Sequence, residues 1–164
     1  MSAALRALHR ALPGVGALAT LMLAGSAAAA DEVPAYCAEL KQVSALVLPK
    51  DKFASIIGKP REGNFLEAKV ALPGWENCSF YGTRTYTCDS HGFKTADESE
   101  RAHARIFGEV KSCLHDGWSE DPSRASPGYV VLHDQRQVAS ITINTDQTDK
   151  DEHVVRLILF LRSR

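Results

Sequence analysis

The spacing of apolar side chains changes several times along this chain, and each change marks an element. Cys37, Leu40, Val43 and Val47 recur at intervals of three and four behind Pro34, a residue that suits a first helical turn. A helix over 35–48, closed by Pro49, follows. Residues 51–57 predict one further helical turn, with Gly58, Lys59 and Pro60 as its break. From Asn64 the period becomes two: Leu66, Ala68, Val70 and Leu72 line one side, Glu67 and Lys69 the other. That is the pattern of a half-buried strand, ending at Pro73 and Gly74.

Residues 76–90 predict a hairpin around Gly82, Thr83 and Arg84. With Thr83 at the centre of a three-residue loop, Tyr81 faces Thr85, Phe80 faces Tyr86 and Cys78 faces Cys88. A slip of one residue would undo the cysteine pairing. Thr95 and Glu98 make a capping box ahead of a helix over 96–115, whose stripe runs Ala102, Ile106, Val110, Cys113 and Leu114. Gly117 is its C-terminal stop. After a polar loop, Ser119 to Pro127, a second hairpin joins 129–133 to 138–144 through Asp134, Gln135 and Arg136. Val154 to Leu161 is apolar on both alternating sides and therefore belongs in the middle of a sheet. Helix, three strands, helix, three strands with short connections predict an α+β domain. Its sheet is mainly antiparallel, with two principal helices packed on one face. No internal repeat is visible in the sequence.

The first 30 residues follow a different logic. Arg6, His9 and Arg10 precede an apolar run, Ala11 to Ala24, which gives way to Gly25, Ser26 and four alanines, Ala27 to Ala30. Basic, apolar and small residues in that order predict a secretory signal peptide over 1–30, cut after Ala30. A span of the bilayer needs about 20 consecutive apolar residues, and this run is shorter and broken by Pro13, Gly14 and Gly16. The expected product is a single domain over 31–164, exported to the bacterial periplasm or secreted, without a membrane anchor. Two arginines leave with the leader, so 17 basic side chains face 20 acidic ones, a net charge of −3. Such a balance gives no footprint for nucleic acid or an anionic membrane surface.

All four cysteines, Cys37, Cys78, Cys88 and Cys113, lie in the retained part. An even number in an exported chain predicts two disulfides, while the spacing lacks the close pairs of a zinc site. Three connectivities are possible. The hairpin register favours Cys78 with Cys88, which leaves Cys37 and Cys113, each on a helical stripe. Cys37 with Leu40, the Leu72-Pro73-Gly74 run before Cys78, Tyr86-x-Cys88, and Cys113-Leu114 followed by Trp118 resemble a scattered group of small exported proteobacterial four-cysteine domains of uncharacterised function. The resemblance covers about half of the mature chain. It implies the four-cysteine architecture and carries no activity.

The sequence holds no nucleophile elbow, phosphate-binding glycine loop, zinc-protease helix or calcium loop, so neither catalytic residues nor a metal or cofactor site is assigned. His103 and His115 share a helix but lie about 120° apart around it. His115-Asp116, Asp151-Glu152-His153 and the acidic group Asp146, Asp149, Asp151 and Glu152 read as solvated surface. The expectation is a non-enzymatic binding module of inhibitor or immunity type, with an envelope or secreted protein as partner. Trp75, Tyr81 and Arg84 beside the Gly82 turn are its candidate anchors. The alternatives are a small cell-envelope hydrolase with an unrecognised His/Asp site and an accessory structural domain of an envelope assembly.

Overall fold

A computed structural model describes residues 33–47, 52–115 and 117–162. The expected signal peptide, its cleavage site, Pro49 and Asp116 lie outside them. Two helices and eight strands follow one another as α1 (Cys37–Ala45), β1 (Ile57–Pro60), β2 (Phe65–Ala68), β3 (Glu76–Tyr81), β4 (Thr85–Asp89), α2 (Ala96–Leu114), β5 (Trp118–Glu120), β6 (Tyr129–Asp134), β7 (Ala139–Gln147) and β8 (His153–Leu161). A single 3-10 turn, Pro122–Arg124, lies between β5 and β6. The strands form one sheet in the order β1-β2-β3-β4-β8-β7-β6-β5, with antiparallel pairing throughout. The α+β class is as expected.

That order is a palindrome. A helix followed by four strands occurs twice, and the two runs meet at the β4–β8 seam. The repeat lies in the backbone path, where element lengths differ enough to hide it from the sequence.

The hairpin adopts the expected register from its turn to Ser79 opposite Thr87, with Tyr81 opposite Thr85 and Phe80 opposite Tyr86, and shifts at a bulge between Glu76 and Ser79. Gly82 opens its loop at φ +58°, a conformation that suits glycine. Disulfides join Cys78 to Cys88 and Cys37 to Cys113. Two disulfides place the folded domain in an oxidising environment. Thr95 and Glu98 form the capping box in both directions: the Glu98 N–H donates to Thr95 Oγ1 and the Thr95 N–H to the Glu98 carboxylate. The helix-side core joins Leu40, Val43, Ile106 and Val110 to Phe80, Tyr86, Ile141, Ile143, Leu157 and Leu159 of the sheet. β8 lies between β4 and β7, at the centre of the sheet as its two apolar sides require.

The structure corrects several boundaries. The helical turn at Phe53–Ile57 ends at Gly58, Lys59 and Pro60 as expected, but these residues belong to β1, an edge strand whose terminal proline removes a donor that no ladder needs. Gly58 is required there, because a Cβ would come within 2.8 Å of Glu67 Cβ. The strand expected from Asn64 ends at Ala68; beyond it the chain turns to bury Leu72, and the Tyr86 hydroxyl donates to the Val70 carbonyl. α1 ends at Ala45. The loop expected from Ser119 begins inside β5, an edge strand too short to display a period.

Candidate functional site

Both helices cover one face of the sheet, and the strand register defines what the other face presents. One continuous cross-strand row runs Phe65, Tyr81, Thr85, Phe160, Ser140, His133 and Ser119. The next row along the strands is Glu67, Ser79, Thr87, Ile158, Thr142 and Val131. A third runs Asp89, Arg156, Asn144 and Tyr129. The first row holds three aromatic rings out in solvent, with Phe65 44%, Tyr81 53% and Phe160 40% exposed. Besides these, Val33 is the one exposed large hydrophobic among the described residues.

The rings are held in place. Phe65 and Tyr81 meet nearly edge-to-face at 5.5 Å, a geometry that aligns ring edge with ring face. The Arg84 guanidinium sits 5.9 Å from the centre of the Phe160 ring and donates to the Leu161 carbonyl at 2.8 Å. Arginine over an aromatic face loses little of its hydration and gains the ring's quadrupole. In the third row Arg156 lies between Asp89, at 2.6 Å, and Asp146. The hydrogen bond that Arg156 donates to Asp89 holds its charge more firmly than usual, ahead of the opposing effect of burial.

Of the three anchors named from the sequence, the fold brings two together. Tyr81 and Arg84 flank the Gly82 turn and join the aromatic row. Trp75 does not: it is half-buried against the core, with its ring edge-to-face on Tyr36 at 5.6 Å. Sequence reasoning missed Phe65 and Phe160. Phe160 belongs to a central strand that is apolar on both sides, and among the described residues no helix covers the side on which it stands.

The polar groups offer less. His133 Nε2 lies 3.1 Å from Asp121 Oδ2, while Ser123 donates to the other Asp121 oxygen through both Oγ and its backbone N–H. These bonds, Ser123 first and His133 second, hold the Asp121 carboxyl below its ordinary range. The Ser123 hydroxyl is turned to the aspartate, not the imidazole, so it is not set up as a nucleophile for this histidine. His133 Nδ1, Thr87 Oγ1 and Asn144 Oδ1 are buried without a protein partner. His103 is a core residue whose Nε2 meets the Ile143 carbonyl at 3.0 Å. Asp146 is engaged by Arg156 and Asp151 by Gln147. Among the described residues no group of three or more His, Cys, Asp or Glu side chains could hold a metal ion. A groove of about 330 Å³ runs between the helix ends, lined among the described residues by Lys41, Ser44, Cys113, Leu114, His115 and Trp118. Within the described residues no helix is long and apolar enough to cross a membrane.

In comparisons with known proteins, no family model, no curated protein and no solved structure matches this chain.

Proposed function

We propose that this chain is an exported binding module of the bacterial periplasm or extracellular space. After removal of residues 1–30, the 31–164 domain engages a folded secreted or envelope protein, in the manner of an inhibitor or immunity protein, through the uncovered sheet face. One observation carries this: three of the four exposed large hydrophobic side chains among the described residues stand in a single cross-strand row. Exposed apolar groups scattered singly need no explanation, whereas a contiguous set marks a contact surface. Phenylalanine, tyrosine and arginine are also the residue types enriched in protein interfaces. Two disulfides support the exported setting.

A second reading rests on the His133–Asp121 pair, which would orient an imidazole in a small envelope hydrolase. It is the weaker reading, because Ser123 turns to the carboxylate. An accessory role in an envelope assembly would use the same aromatic face with a permanent partner.

The test places a photo-crosslinking residue at position 81 of the full chain in its native host and identifies the captured protein. Tyr81→Ala and Phe160→Ala should weaken binding to that protein by about 1 to 3 kcal/mol, as anchor residues do, with thermal melting nearly unchanged. Intact-mass measurement of the exported protein should place its first residue within two of Asp31. Should the aromatic changes leave capture intact while His133→Ala abolishes a measurable turnover, the hydrolase reading replaces this one.

A further inference from the structure

The register also sorts charge along the strands. Arg61 follows β1, Arg84 lies in the β3–β4 turn, Arg136 in the β6–β7 turn and Arg162 directly after β8, and all four are exposed. Those four points lie at one end of the sheet, the end that carries Phe65, Tyr81 and Phe160. Among the described residues the carboxylates there are Glu62, which is exposed, and Asp134, which is buried and accepts the backbone N–H groups of Arg136 and Ala139. The opposite end is richer in carboxylates: Glu76, Asp149, Asp151 and Glu152 are exposed there, with Lys94, Arg124 and Lys150 as exposed cations.

An arginine fringe beside an aromatic row has a defined chemical complement. The guanidinium is a planar fork that binds carboxylate with two parallel hydrogen bonds and stacks on rings, which a lysine ammonium does not. All four cations named are arginine. Arg84 already has its plane near Phe160 and one nitrogen anchored on Leu161, so little of its freedom remains to be lost on binding. From the β1–β2 turn to the β6–β7 turn the fringe spans five strand spacings, about 24 Å. That fits within an interface patch of ~800 Å² a side. The net charge of −3 after loss of the leader argues against a bulk polyanion, since the field around the whole domain is negative and the positive region is local.

We infer that the partner of this face is a protein presenting clustered Asp and Glu side chains, received by Arg61, Arg84, Arg136 and Arg162 while the three rings take its apolar contacts. The inference rests on the sheet-face reading above and adds the chemistry of the partner.

Hexaglutamate peptide is the probe, titrated into the isotope-labelled full-length mature protein and followed by amide NMR. Shifts should concentrate at 61–65, 81–85, 134–140 and 160–162. The apparent affinity should fall at least about fivefold between low salt and 0.5 M NaCl, as expected for exposed charges, and similarly in Arg61→Glu/Arg136→Glu. Hexalysine should instead shift residues around 146–152. Three results would overturn the inference: hexaglutamate shifts that are absent or spread over both ends; concentration-dependent self-association in sedimentation that the same double variant removes, making a second copy the occupant; or equal binding to phosphatidylglycerol vesicles, making it a lipid surface. Each leaves the cross-linking experiment at position 81 to judge the sheet-face reading separately. Circular dichroism of the double variant confirms that both exposed changes leave the fold in place.

Discussion

The two halves of the sheet follow the same path and are held together by different means. In the second half α2 has 19 residues, a capping box and an amphipathic stripe, and β7 and β8 pair over nine residues each. In the first half α1 has nine residues and no side-chain cap, and β3 and β4 have six and five. Both disulfides belong to this weaker half: one closes its β3–β4 hairpin, the other ties its helix to α2. Elements this short are marginal by themselves even though the first half supplies the largest fully buried side chains, Tyr86, Phe53, Phe80, Leu40 and Leu72. Covalent links stand where the elements are short.

The largest test of that contrast removes the longer link. Replacing Cys37 and Cys113 together by Ala frees a loop of 76 residues and should cost about 4 kcal/mol in urea unfolding. Hydrogen exchange should show α1 opening while β7 and β8 stay protected. The Cys78→Ala/Cys88→Ala pair spans ten positions and should cost about 3 kcal/mol on the same chain-entropy scale, with exchange rising first in β3.

Alkali should act on the first half too. Burial, foremost, and the hydrogen bond to Glu109 push the Tyr36 hydroxyl far above its ordinary range; burial does the same to Tyr86. Because the folded state keeps these protons longer than the unfolded chain, their contribution is complete below about pH 10 and is lost as pH rises beyond it. Each pH unit past that point should remove up to about 1.4 kcal/mol per tyrosine, and Tyr86→Phe should lessen the slope. The smallest effect concerns the second half: Thr95→Ala should cost about 1 kcal/mol by thermal melting, since α2 keeps its packing when the cap is lost.

What could be seen in the sequence divides along the same line. α2 announces itself through Thr95, Glu98 and a long apolar period, and β8 through seven apolar residues that leave no polar side. The Cys78–Cys88 link is the one that the hairpin register favours. β1 and β5 are hidden because four and three residues cannot display a period of two. The aromatic row is hidden for a different reason. Tyr81 and Arg84 advertise themselves beside a glycine turn, but Phe65 and Phe160 join them only through pairings across 16 and 75 positions, with β3, β4 and β8 side by side. Trp75 looks like an anchor in one dimension and becomes core when α1 folds over it.

The outer strands carry one more consequence. A face with exposed rings invites association in a crowded compartment, and an open backbone ladder at a sheet edge would turn that contact into fibre growth. Here the ladder stops on both sides after three or four residues. One edge carries Lys59 and ends in Pro60; the other bears Glu120, paired with Lys111 at 3.3 Å. The rings can therefore stay in solvent without offering a template to a further strand, and contact through this protein is confined to side chains.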